Sequence, residues 1–462
     1  MGISSEGFSA KLSGTCLFLM TIAVLPNWSL NPTIMAKSVL LNFTSILLLV
    51  IYFLKSRIKI PSKKNSKMQN SQFYFSRIVY ALAFGSLSIS LLMNSKSNVV
   101  SFFGSEERRT GFLFYISLFL IVLVNASDKV DQKTLRPFFF LLALSNLSVC
   151  IYSIAQAMNL DFYQTNQFYQ SSTSFLGNPN FVSGFIGFSF WTYIYFLKRT
   201  GSIGELLVYN TLPVICLILN AYVLVSNRSF SGILAVSVSI FLAIMLKSFS
   251  KSQKNSKSKI RFRYLPHALS ITIVLSFYVM SYLLITERFQ RLLVDFGGGT
   301  RLAYWSTALR MFLDQPLFGK GPEAFSSYFL QFRSVEDLKF IGKRLSVDSP
   351  HNFFLELLST GGIALALLIS AILSKGFFNL LVGMREDQVE ETRDNSKSNF
   401  FLFLMIVGFL TQSLVNVSNI AVTAWGFLLF SFALAQGNLH LNTLNLSDRD
   451  ERKRNNPAFG LK

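Results

Sequence analysis

An all-α bundle of about twelve membrane-spanning helices is the fold class this sequence predicts, and three observations predict it. The 462 residues are 51% hydrophobic and 15% aromatic with only 14% charged, at a mean hydropathy of +0.44, outside the composition of a soluble globular chain. Apolar runs close to the roughly 20 residues that cross a bilayer recur along the whole length. The excess of 43 Lys and Arg over 23 Asp and Glu, a formal charge of +20, is gathered in short loops of alternate parity. In a soluble protein such a charge points to nucleic acid. Distributed this way it follows the positive-inside rule, and the partner it implies is a lipid bilayer with an anionic surface and no nucleic acid.

Taken in order, the spans are expected near 12–25, 36–54, 76–94, 111–125, 137–157, 181–197, 207–225, 230–246, 265–285, 353–373, 399–417 and 420–436. The start, MGISSEGFSAKLSGTCLFLM, has one lysine and no small-residue cleavage site, so the first run is read as a retained span. Basic clusters follow the second span (Lys55, Arg57, Lys59, Lys63, Lys64, Lys67) and the eighth (Lys247, Lys251, Lys254, Lys257, Lys259, Arg261, Arg263). With Lys129, Lys133, Lys198, Arg199 and the tail residues Arg449, Arg452, Lys453 and Arg454 they fall on one side, which is then cytoplasmic and holds both termini. Residues 1–285 thus carry spans one to nine, 286–352 a large loop on the outer face, 353–438 spans ten to twelve, and 439–462 a cytoplasmic tail. Cys16, Cys150 and Cys216 each sit in an apolar run and are read as small buried hydrophobes, without disulfide or metal-ligand spacing.

The outer face receives Ser95 to Thr110, Asn159 to Asn180, a very short turn around Arg228, and the long excursion from about Thr286 to Asn352. Two amphipathic helices are expected in the excursion. In the first, over Thr300 to Leu313, Leu302, Trp305, Leu309 and Phe312 recur at helical spacing, with Thr300 as the N-cap and Pro316 beyond the end. Trp305 and Tyr304 would lay it on the membrane surface, with Arg301 and Arg310 available to phosphate. The second would begin at Pro322 with Glu323 in its first turn and carry Phe325, Phe329 and Phe332 along one stripe, after a tight turn at FGKGP.

Few residues can carry chemistry. Of the three histidines, His267 opens a cytoplasmic-side span and His440 lies in the tail, whereas His351 stands where the excursion re-enters the membrane, between Pro350 and Asn352. An imidazole there can titrate near neutral pH at the interface, or merely face water at a helix start. Arg228, Arg108, Arg109, Arg301 and Arg310 could be snorkelling anchors. Arginines on the outer face run against the topology rule, however, and a planar permanent cation suits diphosphate. Among Asp295, Asp314, Glu323, Glu336, Asp337 and Asp348 no spacing singles out a pair for glycoside hydrolysis. Neither a metal nor a nucleotide cofactor is implied.

The motifs FFGSEERRTGFLF, SFLGNPNF, SNRSFSG, GTRLAYWSTALRMFLDQPLFGKGPEAF and SPHNFFLELLSTGG, in that order, resemble the bacterial O-antigen ligase family, which also takes in O-antigen polymerases and related oligosaccharyltransferases. The resemblance runs from about the third span to the tenth, and its last two motifs are the specific ones. It implies a multi-pass protein of the bacterial inner membrane with a large periplasmic loop. It also implies a metal-independent glycosyltransferase that takes an undecaprenyl-diphosphate-linked glycan as donor and works on the periplasmic side. The family's functional set, an arginine in a short periplasmic loop, an arginine opening the large loop and a histidine closing it, falls on Arg228, Arg301 and His351, expected to be catalytic. Its arginine before the fourth span falls on Arg108 or Arg109. With these two, Asn180, Trp305, Arg310 and Asn352 are expected to contact substrate.

Lipid A core is the expected acceptor, which would make the reaction O-antigen ligation in lipopolysaccharide biosynthesis. Polymerisation onto a second lipid-linked glycan and protein O-glycosylation are the alternatives within the family. A flippase of lipid-linked sugars is the alternative from another class. It calls for mid-bilayer ionisable groups or two related halves, and neither is evident here.

Overall fold

The computed structural model describes residues 7–25, 32–58, 67–94, 97–128, 130–163, 171–198, 200–255, 265–283, 299–342, 347–384 and 390–436. Every described element is a helix. In chain order they are α1 (Phe8–Ile22), α2 (Pro32–Ile58), α3 (Lys67–Asn94), the short α4 (Asn98–Phe103), α5 (Phe112–Ala126), α6 (Gln132–Ala157), α7 (Pro179–Ser189), α8 (Trp191–Phe196), α9 (Ile203–Ser226), α10 (Phe230–Asn255) and α11 (Leu265–Leu283). The excursion contributes α12 (Gly299–Asp314), α13 (Ala324–Phe332) and α14 (Leu338–Ile341), and α15 (Phe353–Gly383), α16 (Glu390–Ser413) and α17 (Ile420–Gln436) complete the chain.

Helices occupy all twelve apolar runs. Among the described residues five helices qualify by length and composition to cross a membrane: Thr33–Leu54, Gln132–Ala157, Val208–Ser226, Phe230–Lys247 and Phe353–Gly383. Local sequence explains where several begin. Asp131 caps α6 by accepting from the Thr134 N–H, Asn178 caps α7 ahead of Pro179, and Ser202 caps α9 by accepting from the Glu205 N–H while the Glu205 carboxylate accepts from the Gly201 N–H. The expected tail with His440 and most residues of the two basic loops lie outside the described residues, as does Asp295.

The centre of the bundle is its C-terminal hairpin. From Phe401 to Gln436 every residue is buried, so α16 from Phe401 onward and the whole of α17 are enclosed on all sides, with Trp425 donating to Thr21 of α1 at 2.8 Å. By contrast α9 presents Val208, Leu212, Ile218, Tyr222 and Val225 outward, and α2, α10 and α11 also expose large apolar side chains, as lipid contact requires. α7 packs against both α10 and α16, which also contact each other, and it approaches both through glycine. The Gly232 site abuts the Ser183 carbonyl, and Gly408 approaches the Gly187 carbonyl. Cys150 and Cys216 are buried as expected, while Cys16 is partly exposed.

The excursion is fastened to α15 by backbone. Midway along α15 the helix is interrupted at Gly362 (φ 66, ψ −172), and the 315–321 turn inserts into the break. Lys320 and Gly321 donate to the Ser359 and Thr360 carbonyls at 2.9 Å each, and Ile363 and Ala364 donate back to Pro316 and Leu317 at 2.7 and 3.2 Å. A side chain at Gly362 would overlap the Leu317 carbonyl, and one at Gly319 would overlap Thr360. The two glycine motifs, FGKG and STGG, are thus the two halves of one joint.

Three expectations for the excursion are corrected. The first helix begins at Gly299, so Thr300 lies inside it and is no N-cap. Glu323 is not a first-turn residue of a helix starting at Pro322; it precedes a helix starting at Ala324, in a left-handed conformation (φ 56) and 5% exposed. Trp305 and Tyr304 do not lie on a membrane surface. They are 0% and 4% exposed, because the stripe Leu302, Trp305, Ala308 and Met311 is buried in the protein core, with α12 packed against α15.

Candidate active site

The site is assembled where the loops of one end of the bundle meet. Between α4 and α5 the chain closes a tight loop, 104–111, in which a side chain on Gly104 would overlap the Arg109 backbone. This geometry turns Arg108 inward and leaves Arg109 in a left-handed conformation (φ 53). Arg108 is 4% exposed. One terminal nitrogen donates to Glu356 Oε1 at 2.6 Å; the other donates to the Asp348 carbonyl at 3.0 Å and stands 3.9 Å from Glu323 Oε2. Burial alone would lower its pKa, but the carboxylates of Glu356, Glu323 and Asp348 reverse that and hold it firmly protonated. Glu323 accepts from the Thr110 N–H at 2.9 Å, from the Thr110 hydroxyl and from Ser105 at 3.4 Å. Burial nevertheless keeps its carboxyl above the usual range, against the pull of Arg108 and Thr110.

His351 begins the return into α15, two residues before its first turn, again with positive φ (55). Its ring stacks on Tyr304 of α12, centroids 5.6 Å apart and 27° from parallel, and its Nε2 lies 3.8 Å from Asp348 Oδ1. Arg301 is three residues before Tyr304 on the same helix, so the two share one side of it. It is half-buried, and among the described residues no carboxylate pairs with it, so burial lowers its pKa.

Arg228 occupies the three-residue turn between α9 and α10, exposed and with φ 50. The turn is tied to α7, since Ser229 donates to Asn180 Oδ1 at 2.8 Å, and the Asn180 carbonyl accepts from Asn416, beyond the end of α16, at 3.1 Å. Two residues on, Ser418 donates to Glu356 Oε2 at 3.1 Å. A continuous polar path therefore joins the Arg228 turn, the α16–α17 loop, Glu356, Arg108 and the His351 loop. Of the six non-glycine residues with positive φ among the described residues, Arg109, Arg228, Glu323 and His351 belong to this assembly. Such conformations cost roughly 1–3 kcal/mol each and collect where function requires a particular geometry.

Of the residues expected from sequence, Arg108 is joined to the His351 loop through the Asp348 carbonyl, Arg301 shares α12 with the Tyr304 on which His351 stacks, and several expected substrate contacts are committed to the protein itself. Asn352 is 0% exposed and caps α15, accepting from the Phe354 and Leu355 N–H groups at 3.0 and 3.1 Å and bonding to Ser281. Arg310 pairs with Asp337 and donates to the Phe332 carbonyl, fastening α13 to α12. Trp305 is enclosed, and the side chain of Asn180 holds Ser229. Conversely Glu356, Ser418 and Asn416 were missed. Glu356 reads as one polar residue in an apolar run, and an acid five positions after the single candidate histidine on a membrane-entering helix is the signal that could have found it.

Residues 215–370 match the family model described as O-antigen ligase, a segment that holds Arg228, Arg301 and His351. No curated protein matches the chain.

Proposed function

We propose that this chain, which carries an O-antigen ligase domain, transfers a glycan from a polyprenyl-diphosphate carrier, undecaprenyl diphosphate, to an acceptor hydroxyl on the periplasmic face of the inner membrane. The observation that supports the reading is the stacking of His351 on Tyr304, which sits about one helical turn after the half-buried Arg301 on α12. In the reaction the acceptor oxygen attacks the anomeric carbon, the bond from that carbon to the diphosphate oxygen breaks, and polyprenyl diphosphate leaves. Arg301 and Arg228 stabilise the charge that grows on the leaving oxygen, an interaction stronger in the transition state than in the bound donor. His351 takes the proton from the acceptor hydroxyl and holds the oxygen in line. Arg109, partly exposed with its buried Nε unpartnered, adds a further donor toward the diphosphate. No step in this scheme requires a metal. The carrier's tail lies against the apolar faces of the spans, twelve of them with both termini cytoplasmic.

Lipid A core is the acceptor we favour, with a second lipid-linked glycan as the alternative. His351→Ala and Arg301→Ala, expressed in a deletion strain, should each abolish long surface glycan, a loss of at least about 100-fold, while lipid-linked donor accumulates on the outer leaflet. Donor trapped on the inner leaflet would instead identify a transporter. Accumulated polymeric donor marks a ligase; single-repeat lipopolysaccharide marks a polymerase.

A further inference from the structure

We infer that Glu356 is a positioning residue for His351, acting through Arg108, and that Arg108 is consequently a brace and not a clamp on the donor diphosphate. The inference rests on the reading of His351 as the group that handles the acceptor proton. A histidine at positive φ is strained relative to ordinary backbone and persists only where its surroundings impose it. The 347–352 segment is gripped at two points. On its C-terminal side Asn352 is locked into the cap of α15 and onto Ser281. On its N-terminal side the grip is the Arg108 guanidinium, which donates to the carbonyl of Asp348 at 3.0 Å, the residue whose carboxylate stands 3.8 Å from His351 Nε2.

Arg108 can serve as a rigid grip only if its own orientation is set. At 4% exposure it depends on protein partners, and Glu356 supplies the short charge-assisted bond, 2.6 Å to the nitrogen opposite the one that holds Asp348. Glu323 adds charge at 3.9 Å but spends its hydrogen bonds on Thr110 and Ser105. Glu356 is itself aimed by Ser418 at 3.1 Å. Both terminal nitrogens of Arg108 are therefore committed, and only its buried Nε is left without a partner. Arg301 has no carboxylate partner among the described residues, so the division of labour follows: Arg301 faces the diphosphate, Arg108 holds the histidine loop.

The test uses the full-length chain in lipid nanodiscs with a polyprenyl-diphosphate-linked oligosaccharide and whichever acceptor, lipid A core or a second donor molecule, the wild type uses. Glu356→Gln should lower kcat by an amount on the order of 100-fold, as displacements near 1 Å do, with donor KM within about twofold of wild type. Glu356→Asp, which keeps the charge, should recover part of that loss. The Arg108→Lys, Glu356→Gln pair should be no slower than the worse single variant, because the two act as one unit. If Glu356→Gln fails to fold, Arg108→Lys, which keeps the charge but cannot hold Glu356 and Asp348 through two nitrogens, decides the matter by the same kcat loss at constant KM. Wild-type kcat in Glu356→Gln or Arg108→Lys overturns the inference, and so does unchanged kcat with raised donor KM, which would make Arg108 a donor contact. A His351→Ala variant separates the premises. If it turns over normally, the function of His351 and this inference fall together; if it is dead while the Glu356 variants work, only the brace falls.

Discussion

Gly362→Ala tests the joint between the excursion and α15. The position has φ 66, and a Cβ there would overlap the Leu317 carbonyl and the Phe318 nitrogen, so the 315–321 turn must withdraw. Placing alanine at φ 66, ψ −172, a region essentially confined to glycine, costs roughly 1–3 kcal/mol. Withdrawal also endangers the four backbone hydrogen bonds from Lys320, Gly321, Ile363 and Ala364, each worth about 1 kcal/mol net. Full loss of the joint is thus worth about 5 kcal/mol, and the strain alone sets the floor. The same substitution at Gly85 of α3 is the control, because a Cβ there meets nothing within 4 Å. Thermal unfolding of the two purified variants in the same detergent gives the comparison, with glycan transfer as the second readout. Gly362→Ala should unfold well below Gly85→Ala and should lose transfer, since α12 carries Arg301 and Tyr304 to His351. If the two variants unfold together, the joint does not hold the excursion and the reasoning fails.

Two further predictions concern stability around the site. Asn352→Ala removes the acceptor for the Phe354 and Leu355 N–H groups and strands Ser281, a loss of about 2 kcal/mol, seen as a lower thermal midpoint and faster amide exchange at Phe354 and Leu355, whereas Asn352→Asp should keep most of the cap. For Glu323, burial raises the folded-state pKa above the unfolded one, so the folded protein retains a proton that the unfolded chain has released. Stability from this group is therefore present at low pH and lost as pH rises from the usual carboxylate range through the raised value. Glu323→Gln should flatten the part of the midpoint-against-pH curve that lies above the usual carboxylate range, and equal slopes for the variant and wild type would refute it.

The helices themselves were legible in the sequence, and so were Arg301 and His351, for one physical reason: a bilayer admits only long apolar runs, so a charged or titratable residue beside one stands out. Composition marked the membrane class, and short motif resemblance marked the segment that the family model matches. What sequence could not supply was which polar groups face each other. Periodicity is a property of one helix, and it assigned Trp305 to a membrane surface because it cannot distinguish lipid from a neighbouring helix as the apolar partner. Glu356, Ser418 and Asn416 acquired a role only because α15 and the α16–α17 loop converge on Arg108 and Asn180. Arg108 and Arg109, adjacent and identical in the sequence, were separated only by a tight loop that turns one inward onto two carboxylates and leaves the other partly exposed. A local pattern determines that a residue is polar and near the interface; burial and partners, which are tertiary, decide whether its charge is spent on the protein or remains for a substrate.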